Sequence, residues 1–445
     1  MAISSIGGRF GRTRKARQRR PRNEPLATAL RLFLSPGTFR SPEMFQRVSM
    51  DFGVALGTLA VLAGGLWAPA QTAPGAPAPY ASIKSEKIDY HGPGREASYD
   101  LTGPTIRIGL IVPLQGAQKA DGEAIAAAAK LALEDDDALG ALPGNRRLAL
   151  AVGDESGPSW GKTANALIHL VLDQQAIAVV TSANGSTAHL SEQVGNRLGV
   201  AVLTLASDKT TTQIDLPWIF RLAPSDTVQA QTIAKDIYGT HGFRRVLLVT
   251  ESSHDGRLGG QEFLEAAREL HASQPARISI DPLQPDARAA LAVVRNQSPQ
   301  ALVFWTSSST ARELLRALRD AKTSLPVYLC QEAAQESMES DSPPSAEKSG
   351  DSGVWSVARA ETTKATSERF ARHFQAATGV LPGPVAAEAY DAVRLIALSV
   401  REAGPNRARV RDRIADVKNL EGVSGRISFD NEGNSVGDAQ LVRLH

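Results

Sequence analysis

The chain has 445 residues, is 42% hydrophobic and carries a formal net charge of +2, so it can bury a sizeable core and its length favours two or three domains. This composition excludes a fibrous or low-complexity chain, and a single cysteine, Cys330, excludes an internal disulfide and a cysteine-built zinc cluster. The charge is uneven: residues 1–49 hold eleven Lys and Arg against Glu24 and Glu43, which leaves 38 basic and 45 acidic residues in the remainder.

The basic run "RFGRTRKARQRRPR" (9–22) has the guanidinium density of a phosphate-binding patch. The apolar stretch downstream of it favours a plainer reading, a disordered leader or a start site placed upstream of Met44 or Met50, and no nucleic-acid partner is expected. Residues 50–70 read as an export signal, because "VALGTLAVLAGGLWAPA" (54–70) is apolar, comes after Arg47 and closes on Ala68-Pro69-Ala70, a small-x-small cleavage pattern. Left uncleaved, the same stretch is about long enough to anchor the chain in a bilayer. Residues 71–104, rich in Pro, Ala and Gly, predict a flexible tether.

From Thr105 onward short apolar runs alternate with helical periodicity. "TIRIGLIV" (105–112), "RLALAVGD" (147–154), "AIAVVTS" (176–182) and "VAVLTL" (200–205) suit strands buried on both faces, with helices over 121–136, 159–173 and 186–197 between them. After "WIFRLAPSD" (218–226) the alternation restarts: helix 227–240, strand 244–250, helix 257–271, strand 301–306, helix 309–322 and strand 326–330. The expected fold is therefore α/β, two Rossmann-like lobes of parallel sheet flanked by helices. Residues 335–353 are too polar to pack and predict an exposed insertion. Beyond them come strand "VWSVAR", helices near 365–378, 385–403 and 406–417, and a hairpin around "GRISFDNEGN" (425–434). The domain plan is 105–225 plus 355–440 for lobe 1 and 226–354 for lobe 2.

Several motifs invite enzymatic or nucleotide-binding readings that their surroundings refuse. "GPSWGKT" (157–163) has three residues between its glycines where a phosphate loop needs four. It reads better as a helix start with Pro158 in the first turn, a buried stripe of Ala164, Leu167, Ile168 and Val171, and Lys162 facing solvent. "GNSVG" (433–437) lacks the strand-turn-helix setting of a nucleophile elbow. Ser253, His254 and Asp255 are adjacent in sequence, whereas a triad is assembled across a fold, so His254 reads as a solvated loop residue. The eight histidines show no ligand spacing. No metal, no cofactor and no enzymatic activity are expected.

Four stretches in register resemble the periplasmic leucine/isoleucine/valine-type substrate-binding proteins of ABC transporters. They are "IRIGLIVPLQGAQKADGEAIAAAAKLALED", "GVAVLTLASDKTTTQIDLPWIFRLAPSD", "AAEAYDAVRLIALSV" and "GVSGRISFDNEG", and the resemblance spans roughly 105–445. It implies a type I periplasmic binding fold, a Venus flytrap whose hinged lobes close on a small ligand, and a role outside the cytoplasm delivering an amino acid, amide or amine to an ABC permease as a monomer. A membrane-tethered sensor or scaffold of the same fold is the alternative, if the 54–70 segment is retained.

Residue by residue, the resemblance implies that Gly185, Ser186 and Thr187 form the loop that holds a ligand carboxylate, with Gly185 where the family usually has Ser. Ala206 falls where a backbone carbonyl meets the ligand ammonium, and Asp208 where Thr is usual. Asp121, Asp255 and Ser307 stand where aromatic residues commonly close over the ligand, and Glu332 matches the acid that pairs with the ammonium. The frame agrees while the contacts depart, which disfavours a branched alkyl side chain. Asp121, Asp208, Asp255 and Glu332 are expected to line one cleft and select a cationic or amine-rich ligand. The plainer reading makes Asp121 and Asp208 helix caps and Asp255-Gly256 a turn pair.

Overall fold

The computed structural model describes residues 87–157, 159–335, 353–359 and 364–444; the expected leader, the 54–70 signal and most of the 335–353 insertion lie outside them. Two sheets organise the chain. The first contains β1 (Thr105–Val112), β2 (Arg147–Asp154), β3 (Ala178–Thr181), β4 (Ala201–Thr204) and β5 (Ile219–Arg221) in the order β2-β1-β3-β4-β5, all parallel. Its continuous apolar strands are covered on both faces. Ile108 and Leu110 of β1 point into one core with α1 (Lys119–Asp137), and Ile111 points into the opposite core with Leu167 and Leu170.

Leu167 lies on α2 (Ala164–Ile168), which continues at either end into wider π turns, Ser159–Thr163 and His169–Asp173. Next come α3 (Gly185–Leu198), stopped by Gly199 at φ 62°, and, after the first sheet, α4 (Asp226–Ala234). The first sheet's principal core is completed by segments far along the chain: α8 (Lys364–Thr378), α9 (Pro384–Ala403) and α10 (Arg407–Ala415). Pro384 suits the first turn of α9, where no N–H is needed.

The second sheet contains β6 (Val246–Glu251), β7 (Ala276–Ile280), β8 (Ala301–Trp305), β9 (Val327–Leu329), β10 (Val354–Arg359) and β13 (Ala439–Leu444). Its order, β13-β10-β9-β8-β6-β7, repeats the winding of the first sheet with one added antiparallel strand. Helices α5 (His254–Glu269), α6 (Ala287–Gln297) and α7 (Ser308–Asp320) accompany it around a separate core. The short pair β11 (Leu420–Glu421) and β12 (Arg426–Ile427) precedes a turn at 430–434 closed by the Phe429–Ser435 bridge. Among the described residues no helix is long and apolar enough to cross a membrane.

Two expectations need correction. Strand β10 belongs to the second sheet, where Val354, Trp355 and Ser356 continue the parallel ladder from Val327, Tyr328 and Leu329, so the 355–440 block does not join lobe 1 as a unit. Residues 87–104, expected in a free tether, lie against the first lobe. Tyr90 packs edge-on to Trp218 at 4.6 Å, Arg95 pairs with Asp412 at 2.7 Å and Arg409 with Asp100 at 2.9 Å. An aromatic anchor and spaced charges hold a segment that its proline content alone marks as free.

Strand β7 and helix α6 have no counterpart in the sequence expectation. The residues that join the sheets are tied to each other: the Arg221 amide donates to the Gly433 carbonyl and its Nη2 to Asn434 Oδ1, while Arg359 Nη1 reaches Ser435 Oγ at 2.5 Å.

Candidate ligand-binding site

Loops at the carboxyl ends of parallel strands converge where a doubly wound sheet reverses direction, and both sheets here present acidic residues at that edge. From the first lobe come Glu155, directly after β2, and the start of α3, where Asn184 caps the helix by accepting from the Thr187 amide. From the second come Glu251 at the end of β6, Asp255 in the first turn of α5, Ser307 capping α7, and Glu332 in the turn Glu332–Ala334. Between them lies a cavity of about 650 Å³ bordered by Glu155, Asn184, Thr187, Glu251, Asp255, Ser307 and Glu332. Another hollow, of about 490 Å³, sits between α1, α8 and α9. There Tyr390 already donates to Asp135.

Two of the hydrogen bonds that join the lobes lie beside the cavity. The Gly185 amide, the first of α3, donates to Asp255 Oδ2 at 2.9 Å, and Ser308 Oγ donates to Asp121 Oδ2 at 2.6 Å. Glycine at 185 leaves room for this contact, since a Cβ there would stand 2.2 Å from Asp255 Oδ1 and displace that carboxylate. The second lobe's own carboxylate thus occupies the helix terminus, the position suited to an anion.

Two of the cavity acids, Glu155 and Asp255, are short of partners, whereas Glu251 accepts from the Ser307 amide and hydroxyl and from Ser253 Oγ. Glu155 accepts from Ser182 Oγ at 2.6 Å and Glu251 from Ser307 Oγ at 2.6 Å. Glu155 Oε2 and Asp255 Oδ1 are shielded from solvent and have no hydrogen-bond partner among the described residues. Burial raises the Glu155 carboxyl to about 7 against the bonds from Ser182 and Thr187, and raises Asp255 to about 6 against the bond from Gly185. Glu332 is pushed well above the usual carboxylate range by burial and then by the charges of Asp255, Glu251 and Asp121. The single basic residue on the cavity wall among the described residues, Lys162, sits at its rim with Nζ 2.5 Å from Asp154 Oδ2.

Asp208 lives differently. Its Oδ1 accepts from the Thr210 amide and hydroxyl at 2.8 and 2.7 Å, and its Oδ2 meets His189 Nε2 at 2.9 Å and His254 Nε2 at 2.8 Å. Burial alone would raise it, but the bonds from His189, Thr210 and His254 together hold it well below the usual range. His189, bonded to Asp208 and to Glu192, is raised to about 10.

The structure sorts the expected residues into four groups. Thr187, Asp255, Ser307 and Glu332 border the cavity; Gly185 and Asp121 form the bridges beside it; Asp208 caps the turn Lys209–Thr212 and faces the histidines instead of the cavity. Ala206 and Ser186 do not border the cavity, and the Ala206 amide is spent on Thr204 Oγ1.

Asp121 is the third residue of α1, beyond the cap position held by Gln118, and Asp255-Gly256 opens a helix where a turn pair is the plainer expectation. His254, expected in a solvated loop, is the first residue of α5 and holds Asp208. The expectation of no histidine grouping fails because His189 and His254 are far apart in sequence and meet only in the fold. Glu155, Glu251 and His189 went unnoticed in the sequence; an acid at the end of a buried strand, as in "VGDES" and "VTESS", is the signal that marks the first two.

A family model described as "Periplasmic binding protein" matches residues 105–444. No curated protein matches the chain. Among solved structures, the branched-chain amino acid substrate-binding protein LivJ of Streptococcus pneumoniae, in complex with isoleucine, is 21% identical with a TM-score of 0.66, over 76% of this chain and 99% of that one. The leucine-binding protein LivK of Thermotoga maritima is 18% identical with a TM-score of 0.66, over 76% and 94%. An R. palustris ABC-transporter solute-binding protein, in complex with benzoate, is 18% identical with a TM-score of 0.68, over 77% and 93%. At these identities the likeness shows the fold alone.

Proposed function

The chain belongs to the periplasmic binding protein family, and from that premise we propose that it is an extracytoplasmic solute receptor that closes on a small cationic or amine-rich ligand and presents the closed form to an ABC permease. The observation that carries this reading is the charge of the cavity wall. Glu155, Glu251, Asp255 and Glu332 face one space whose only basic neighbour among the described residues is engaged by Asp154.

Buried carboxylates lacking a counter-charge are costly, and a ligand ammonium removes that cost on binding. A free ligand carboxylate has no such welcome, since the Gly185 amide at the α3 terminus already serves Asp255. The reading therefore favours an amine without a carboxylate over leucine, isoleucine or benzoate. With contacts from both lobes on the ligand, as the resemblance implies, the ligand favours the closed arrangement by the difference in its affinity for the two states. No catalytic step is assigned.

The test is a thermal-shift screen of the full chain against amines, amides, amino acids and aromatic acids, because a ligand that binds only the folded state raises the melting point by mass action. The expected hits are diamines or polyamines. Hits confined to carboxylate-bearing ligands would refute the reading.

A further inference from the structure

Outside the cavity, one cluster of side chains among the described residues has the chemistry of a metal site. His189 Nε2, His254 Nε2 and an Asp208 carboxylate oxygen all lie within 4.8 Å of one another. The two imidazoles approach the same oxygen, Oδ2, at 2.9 and 2.8 Å, with their rings edge to face at 5.7 Å. His189 comes from α3 and Asp208 from the turn after β4, both in the first lobe, whereas His254 opens α5 in the second.

We infer that His189, Asp208 and His254 form a binding site for a divalent transition metal, with Zn²⁺ the best match, that clamps the two lobes together. Two imidazoles and one carboxylate suit zinc, nickel or copper and do not suit calcium or magnesium, which take oxygen ligands. Three protein donors also leave a fourth tetrahedral position for a water or for the Thr210 hydroxyl, which lies 3.0 Å from His189 Nε2.

Metal–ligand distances of about 2.0–2.1 Å put tetrahedral donors roughly 3.3 Å apart. The donors therefore separate by about half an ångström to admit the ion, and the His254 side chain, 42% exposed, is free to give way.

A second, independent feature is the support behind His189. Its Nδ1 lies 3.1 Å from Oε1 of the buried Glu192. A carboxylate on the far nitrogen fixes the ring and turns the other nitrogen toward an ion, the arrangement that accompanies histidine ligands at metal sites. Asp208 itself is 2% exposed, so its oxygens are aimed and held by the structure.

The test is calorimetric titration of the chelator-treated full chain, without solute ligand, with ZnCl₂, CaCl₂ and MgCl₂, alongside His254→Ala and His189→Ala. The expected result is one Zn²⁺ per chain, no calcium or magnesium binding, and zinc affinity weakened about tenfold or more in each variant. X-ray absorption of the zinc-loaded chain is expected to show two imidazole nitrogens. The His254 side chain is 42% exposed, so its variant keeps the fold, and an unchanged circular-dichroism spectrum without metal checks this. Absence of zinc binding in the wild type, or equal affinity in wild type and both variants, would overturn the site. Either result leaves the amine-receptor reading untouched, because neither histidine borders the cavity.

Discussion

Asp208 and Asp255 flank the same glycine, since a Cβ on Gly185 would stand 2.2 Å from an oxygen of Asp255 and 3.2 Å from an oxygen of Asp208, yet they are opposite in character. Asp208 accepts two bonds from Thr210 and meets two imidazoles, and it is held as an anion. Asp255 accepts one amide, has an oxygen shielded from solvent without a partner among the described residues, and is raised to about 6. The contrast separates acids that complete the lobe seam from acids left short of partners around the cavity. Partner number, more than burial, decides which is which.

The largest effect is expected at Glu332, a cavity acid raised well above the usual range by burial and then by the charges of Asp255, Glu251 and Asp121. Replacing it by the isosteric glutamine removes one charge and little volume, and charge-assisted hydrogen bonds contribute about 1.5–3 kcal/mol. In Glu332→Gln, diamine affinity measured by calorimetry is expected to fall roughly 10- to 100-fold. Affinity equal to wild type would remove Glu332 from the site.

Asp255→Ala sharpens the comparison, because it releases the Gly185 amide at the α3 terminus. Diamine affinity is expected to fall about tenfold, and binding of leucine or benzoate to emerge, as an anion finds the freed helix end. If no carboxylate-bearing ligand gains affinity, Asp255 is not what excludes them.

The pH dependence tests both groups of acids together. Burial holds Glu155, Asp226 and Glu388 at about 7, above the ordinary 4.5 or 3.8. Across that window the folded chain keeps protons that the unfolded chain has lost, so stability falls as pH rises. His189, raised from 6.5 to about 10, acts in the same direction above pH 6.5. Asp154 and Asp208, held low, stabilise above about pH 4 and lose that contribution only in more acidic solution. The melting point without ligand is therefore expected to be several degrees higher at pH 5 than at pH 8, while diamine affinity runs the opposite way as the cavity acids ionise. A melting point that rises toward pH 8 would contradict the burial-raised carboxyls.

The smallest effect is expected from Ser308→Ala, which deletes the bond to Asp121 across the lobes. One hydrogen bond of about 1 kcal/mol predicts a loss of ligand affinity of only a few-fold.

Legibility in the sequence tracks the physics of burial. Strands β1 and β2 fall on the residues expected from their apolar runs, and the helix starts at 185, 226 and 308 lie within one residue of expectation because Asn184, Ser225 and Ser307 cap them. Strand β7 escaped because it is an edge strand whose Arg277 and Ser279 face outward, leaving no continuous apolar run. Within the site, the family resemblance alone pointed to Glu332 and Asp255, and both border the cavity. The Asp208–His254 contact spans 46 residues, and no periodicity or spacing rule reaches across a cleft between lobes.

The central claim is that the space between the lobes receives a positive charge. Calorimetric titration of the full chain at pH 8 with 1,4-diaminobutane, leucine and benzoate tests it most directly. The account predicts saturable one-to-one binding of the diamine and none of the other two; saturation by leucine or benzoate with a silent diamine would contradict it.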